Sequence, residues 1–429
     1  MMVDKFKRSL TQRAITSPTS LGRTKQLPFE AAQATAPTPT TPALPEYVET
    51  QTEAKLFPPN ELYITMKLPS EVAILHVYSN GADEYALWGG NTVTMLSQTK
   101  PEKRPPFSLA LIVDKKLSAK QIKNDMNFFS VVNPELRKWV KGLRSRFGGQ
   151  LCLVIADHTN YEIPWEMVEL SPEESPHEYL GTLVTTVRWQ KFISGDDYLM
   201  LDLQQEQCCG NVIAYVLDTE LNGSEVIDLE DLKAVIYRSS KHDINEFKAH
   251  LERNESSCGF IYISCHGDFR ENIFEIWIGS EANKQQRLKY WDLRTHHFNL
   301  LKNSQGIVFI NACHSGRHKP HPYIPSDYQM GFVELFMKKG ARGVIGTLAP
   351  VGNKYGSEFA RDLIKASLRS PHLSVAALLR ELRFKMIKNF PDQPTKEQWE
   401  SFIYTFMYVY YGNPMTVLRL TPPGGQNGV

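Results

Sequence analysis

Gly259-Phe260-Ile261-Tyr262-Ile263-Ser264-Cys265-His266-Gly267 and Gly306-Ile307-Val308-Phe309-Ile310-Asn311-Ala312-Cys313-His314-Ser315-Gly316 are the two runs that decide the fold. Each is a compact apolar run, rich in β-branched and aromatic residues, that ends abruptly in polar residues and a glycine. Such runs read as buried strands of a parallel sheet with solvated carboxyl ends. Open α/β sheets carry their chemistry just beyond those ends, where loops are free to hold reactive groups. His266 and Cys313 are therefore expected to emerge from the same edge of one sheet. If the two strands are neighbours, about 4.8 Å apart, a thiol and an imidazole can face each other across the groove.

A cysteine nucleophile needs that pairing, because the thiolate attacks while a nearby imidazole transfers protons and supports charge. Caspases show a Q-A-C-[RQG]-G strand end with its histidine about 50 residues upstream. Asn311-Ala312-Cys313-His314-Ser315-Gly316 follows that scheme, with Cys313 lying 47 positions after His266. The two strand ends resemble those of caspase-like cysteine peptidases. They resemble most closely the CHAT domain, a relative that is also similar to separase. Further residues carry the same resemblance: Ile163-Pro164-Trp165-Glu166, the stretch GFVELFMKKGARGVIGTLAPVGN at 331–353, SVAALLRELR at 374–383, and YGNP at 411–414. It covers roughly residues 130–420 and is strongest from 211 onward.

The resemblance implies an α/β fold: a caspase-like three-layer α/β/α sandwich with a mostly parallel sheet. A non-catalytic, protease-like front half precedes it and holds the Ile163–Glu166 segment, in which Trp165 is structural. Carried over to matching positions, Cys313 is the nucleophile and His266 the acid/base. The backbone N–H groups of Gly267 and Cys313 hold the oxyanion. Glycine at 267 also suits close substrate approach and unusual backbone angles. Alone, a cysteine at a strand end is simply a small buried hydrophobe; the pair at this spacing favours catalysis.

Residues two apart on a strand share a face, so Asn311 is expected beside Cys313, lining the pocket for the residue before the cut. Metacaspases, which the motif resembles, have Asp there and accept basic residues; Asn311 departs from that pattern. Asp268, two past His266, either restores negative charge to the groove or is a solvated turn residue. Ala349-Pro350-Val351-Gly352-Asn353 stands where the family has Trp and Asp, so the groove wall is expected to be reshaped. Cys265 should point away from His266 into the core, and His314 should shape its loop.

A chain of 429 residues suggests two or three domains. We divide it into a disordered basic tail and Pro/Thr/Ala linker (1–59), a small β-rich region (60–120), the protease-like front half (121–205) and the catalytic domain (206–420). The tail resembles a transit peptide in composition, but a basic disordered tail is the favoured reading. Strands are expected at 62–68, 72–78 and 107–113; the β-rich region either packs against the next domain or senses a ligand or partner. Further on, the pattern predicts helices at 133–147, 243–251, 328–339, 354–367 and 374–388. Strands are expected at 150–156, 211–218, 343–348 and 406–411, with an exposed strand or hairpin at 273–279 and a loop at 317–326.

A net charge of +1 gives no global argument for nucleic acid or membrane. No stretch approaches the roughly 18 apolar residues of a membrane span, and no secretory signal is evident at the N-terminus. Six cysteines without framework spacing suggest reduced thiols in the cytoplasm. His314, His318 and His321 with Cys313 form a loose cluster, but C-x-x-C and H-E-x-x-H are absent, so no metal is expected. No phosphate-binding G-x-x-x-x-G-K-[ST] occurs, and no cofactor is expected.

The expected partners are a protein substrate bound extended in the groove and a regulatory or activating protein, with neither direct nucleic-acid binding nor a membrane. The function this implies is a cysteine endopeptidase cleaving a specific partner by a His–Cys dyad. The resemblance further implies regulation, often in bacterial defence. The alternative is a catalytically silent interaction module with the same fold.

Overall fold

The computed structural model describes residues 67–97, 100–105, 109, 118–159, 161–173, 177–190, 193–194, 197–198, 201, 203–221, 223–254, 258–270, 272–320, 329–391 and 393–420. The chain divides into two units, 1–57 and 58–429, and all described residues belong to the second. The expected strand at 107–113 lies outside the described residues apart from Leu109, and that at 62–68 apart from Lys67 and Leu68.

One sheet runs through the described chain. Its strand order is Val235–Arg238, Asn211–Val216, Cys258–Ser264, Ile307–Asn311, Gly343–Thr347, Tyr408–Gly412, Thr185–Trp189, Cys152–Asp157, Val72–Ser79, Glu84–Gly90 and Met95–Ser97. The first five are mutually parallel. Tyr408–Gly412 runs antiparallel to Gly343–Thr347 and joins the front half through the pairing of Tyr411 with Arg188. Thr185–Trp189, Cys152–Asp157 and Val72–Ser79 are again parallel, and antiparallel strands close that edge. Val72–Ser79 thus pairs in register with the front half from Val72 opposite Cys152 to Val77 opposite Asp157.

Full burial on both faces explains why the central strands are near-continuous apolar runs. On one face Tyr262, Phe309 and Tyr408 meet Phe359 of the Asn353–Arg369 helix and Glu225 before the Val226–Asp231 helix. On the other, Tyr215 packs on Phe247 of the Ile244–Leu251 helix, and the Asn299–Ser304 and Phe332–Lys338 helices lie against the central strands. Helix, sheet and helix make three layers. Among the described residues, no helix is long and apolar enough to cross a membrane.

Several local expectations need correcting. The run at 259–267 is not one strand: it leaves the main sheet at Cys265, and His266–Asp268 pairs instead with Trp277–Gly279 in a three-stranded sheet. Trp277–Gly279 is consequently buried rather than exposed, with Ile278 at 0%. The helix expected from 328 begins at Phe332, because Gln329–Met330 pairs with Lys319–Pro320, a short strand within the expected loop. The closing strand starts at Tyr408, preceded by a helix, Lys396–Met407, that the reading missed.

Candidate active site

The strands Cys258–Ser264 and Ile307–Asn311 are neighbours, with Ser264 opposite Asn311. At their carboxyl ends His266 and Cys313 line one narrow pocket, together with Leu221, Val351, Asn353 and Ser357. Cys313 sits past the strand, in a tight turn in which His314 takes a left-handed φ of +60°. A non-glycine residue holds that conformation only when its surroundings enforce it. Here Ser315 Oγ donates to Ile310 O at 2.8 Å and accepts from Thr347 N, while Thr347 Oγ1 donates to Ala312 O at 2.9 Å. Gly316 N donates to Thr347 O at 2.8 Å. The Gly343–Thr347 strand therefore anchors the cysteine turn.

The Cys313 side chain is part-buried, its Sγ lying 3.8 Å from Val351 O. Burial pushes the thiol pKa up, opposed by backbone hydrogen bonds at Val351, at Cys313 itself and at Gly267. Two of those backbone groups, Gly267 and Cys313, are the ones expected to hold an oxyanion. Gly267 is demanded by space rather than by angle: a Cβ there would lie 2.4 Å from Cys313 O. Its φ lies outside the left-handed region that favours glycine, so no unusual backbone angle of that kind is involved.

The reading missed an acid behind the histidine. His266 Nε2 lies 3.4 Å from Glu220 Oε2, on the loop that follows the Asn211–Val216 strand. Glu220 accepts from Ser280 Oγ and from the N–H groups of Glu281, at 2.9 Å, and Ala282. Burial raises its pKa, but these donors and His266 outweigh burial and hold the carboxyl below its ordinary value. The strand-end logic that singled out His266 and Cys313 applies equally to this third strand.

Asn311 does line the pocket, yet both ends of its amide are engaged. Nδ2 donates to Tyr262 Oη at 3.0 Å and Oδ1 accepts from Tyr408 Oη at 2.6 Å. Asp268 is not part of the lining; its carboxylate is paired with Arg270 Nε at 2.6 Å. Val351, Gly352 and Asn353 do form one wall. Cys265 is buried, and burial pushes its thiol well up.

His314 accepts from Arg317 Nη1 at 3.2 Å; burial first, then that cation, lower its pKa to about 3. His318 is turned instead against Tyr411, and burial followed by Arg188 lowers it to about 3. His321 lies outside the described residues. Among the described residues no three His, Cys, Asp or Glu side chains converge as metal ligands.

The family model of the CHAT domain matches residues 211–408. Among curated proteins none matches the sequence. Among solved structures, the chain is similar to separase in the separase–securin complex of Saccharomyces cerevisiae at 14% identity and TM-score 0.37. That match covers 61% of this chain and 15% of the separase chain. It is also similar to the Arg-specific cysteine proteinase gingipain R, at 11% identity and TM-score 0.43, covering 68% of this chain and 69% of the other. The pro- and mature domains of the Porphyromonas gingivalis enzyme match at 11% identity and TM-score 0.42, covering 68% and 71%.

Proposed function

With residues 211–408 belonging to the CHAT domain family, we propose that the chain is a cysteine endopeptidase that cuts a protein partner using Cys313 and His266. The observation that carries this is that Cys313 and the carboxylate-held imidazole of His266 line one pocket, with Gly267 packed against the cysteine backbone. The Cys313 thiolate adds to the scissile carbonyl, and the N–H groups of Gly267 and Cys313 take the resulting oxyanion. His266 gives its proton to the departing amine and then removes one from the water that hydrolyses the thioester. With Nε2 on Glu220, Nδ1 is the nitrogen left for those transfers. Glu220 keeps the ring oriented.

One observation favours the alternative of a silent interaction module. Burial raises the Cys313 pKa, which leaves the resting thiol protonated. An endopeptidase would then be latent until an activating protein or the substrate itself draws the thiol and imidazole together. Profiling new N-termini in cells holding the wild type or Cys313→Ala separates the two readings: a protease yields termini present only with the wild type, a silent module yields none.

Glu220→Gln keeps the shape of the side chain but removes the charge facing His266. We expect kcat to fall about 10-fold with KM unchanged, since His266 would be held less firmly. Steady-state kinetics on the substrate found by the profiling measure it. An equal loss from Glu220→Ala and Glu220→Gln would assign the effect to the charge.

A further inference from the structure

Among the described residues five non-glycine residues hold a left-handed φ, and one guanidinium joins two of them. Glu162, at +55°, leads into the Ile163–Glu166 segment of the front half; His314, at +60°, directly follows Cys313. Arg317 reaches both. Its Nε donates to Glu162 Oε1, 155 positions back along the chain, with Nη2 against the same oxygen. Its Nη1 donates to His314 Nδ1 at 3.2 Å. The guanidinium also lies over the ring of Phe269, 4.8 Å from the centroid, just after the His266–Asp268 strand. The Arg317 and Glu162 side chains are 19% and 16% exposed, so the pair is largely withdrawn from water.

A left-handed non-glycine residue costs about 1–3 kcal/mol and persists only where its neighbours fix it. Ser315 and Thr347 fix the sheet side of the cysteine turn. Arg317 fixes the other side: its backbone N–H donates to His314 O at 3.0 Å while its side chain takes the imidazole. The three side-chain contacts use what is particular to a guanidinium, a planar fork of N–H donors in set directions with a face that stacks on a ring. Lysine would supply the charge without the fork. Arg317 stands outside the lining of the Cys313 pocket. Its contacts are with residues that follow the two reactive ones, His314 after Cys313 and Phe269 after His266.

We propose that Arg317 is a positioning residue for the reaction: anchored on Glu162 of the front half, it holds the cysteine turn and the loop behind His266 at the separation that lets thiol and imidazole work together. Removing either end of this clamp loosens both loops at once. The front half thereby sets the reactivity of a nucleophile it does not contain. The part in cleavage rests on the endopeptidase reading, whereas the alignment itself is measured on the thiol with no substrate present.

Full-length wild type, Arg317→Lys, Glu162→Gln and the double variant are treated with limiting iodoacetamide, and each cysteine is followed by mass spectrometry. Both single variants should slow the alkylation of Cys313, Arg317→Lys by about 10-fold, and leave exposed Cys209 unchanged. The double variant should be no slower than the slower single one, because both changes open the same clamp. In a His266→Gln background Arg317→Lys should have no further effect. On the substrate found by N-terminal profiling, Arg317→Lys should lower kcat about 10–100-fold with KM within about twofold. Unchanged Cys313 rates in both single variants, or effects that multiply in the double one, overturn the proposal. So does faster alkylation of buried Cys265, the mark of general loosening, or a raised KM at unchanged kcat, the mark of a substrate-binding residue. No Cys313-dependent cut at all sinks the endopeptidase reading and the part in cleavage with it, while the alkylation rates decide the alignment separately. Should Arg317→Lys fail to fold, Glu162→Gln decides.

Discussion

Cys313→Ala is expected to lower cleavage of the partner protein by at least ~10⁴-fold in kcat, because no other group near the pocket can form the thioester. Cys265, the neighbouring thiol, is buried and its ionisation is suppressed. His266→Gln should lose about 10²–10⁴-fold, the usual worth of a positioned acid/base. Both variants should melt within about 2 °C of the wild type, since neither site holds the core together. Gel assays of the partner and thermal unfolding check the two halves of this statement. A Cys313→Ala protein that still cuts would remove the nucleophile from the account.

Arg188→Ala is expected to cost about 3–5 kcal/mol of stability at neutral pH, the scale for breaking a buried ion pair from one side. Arg188 and Glu166 are paired through two hydrogen bonds, of 2.7 and 3.1 Å, with side chains 5% and 2% exposed. Arg188 also donates to Ile163 O, so it clasps both ends of the Ile163–Glu166 segment. Burial alone would raise the Glu166 pKa, but Arg188, helped by Arg383, outweighs it and holds the carboxyl below its ordinary 4.5.

A depressed folded-state pKa contributes stability above the unfolded value, and that contribution is lost as pH falls through the folded value. With Arg188 gone, burial raises the Glu166 pKa, so the variant gains relative stability as the carboxyl protonates. The gap between wild type and Arg188→Ala should therefore narrow from pH 7 to pH 4 in urea titrations. A gap that stays constant would mean the loss is one of packing rather than charge.

The central strands were legible because a strand buried on both faces must be apolar at nearly every position, as Ile307–Asn311 and Cys258–Ser264 are. That same uniformity hid two boundaries. Nothing in the composition of 259–267 marks the departure at Cys265, which is set by pairing with the next strand, Trp277–Gly279. The apolar run from Phe402 to Tyr411 masked the passage from helix to strand. There a local signal did exist: Thr395 and Gln398 form a capping box that opens the Lys396–Met407 helix.

Of the site, His266, Gly267 and Cys313 were legible as strand-end residues with a known spacing. Glu220 was not. An acid in a polar segment reads as solvated, and only the tertiary fold brings Ser280, Glu281 and Ala282 to it. Asn311 shows the opposite error. Alternation put it beside the cysteine correctly, but the two tyrosine hydroxyls that take up its amide come from other strands.

The reactivity of the six thiols tests the central claim most directly. All six are free, and Cys209 is the exposed one against which the others are judged. With limiting iodoacetamide at neutral pH, His266→Gln should slow the alkylation of Cys313 while leaving that of Cys209 unchanged. Alkylation of Cys313 indifferent to the loss of His266 would contradict the pairing of sulfur and imidazole on which the account stands.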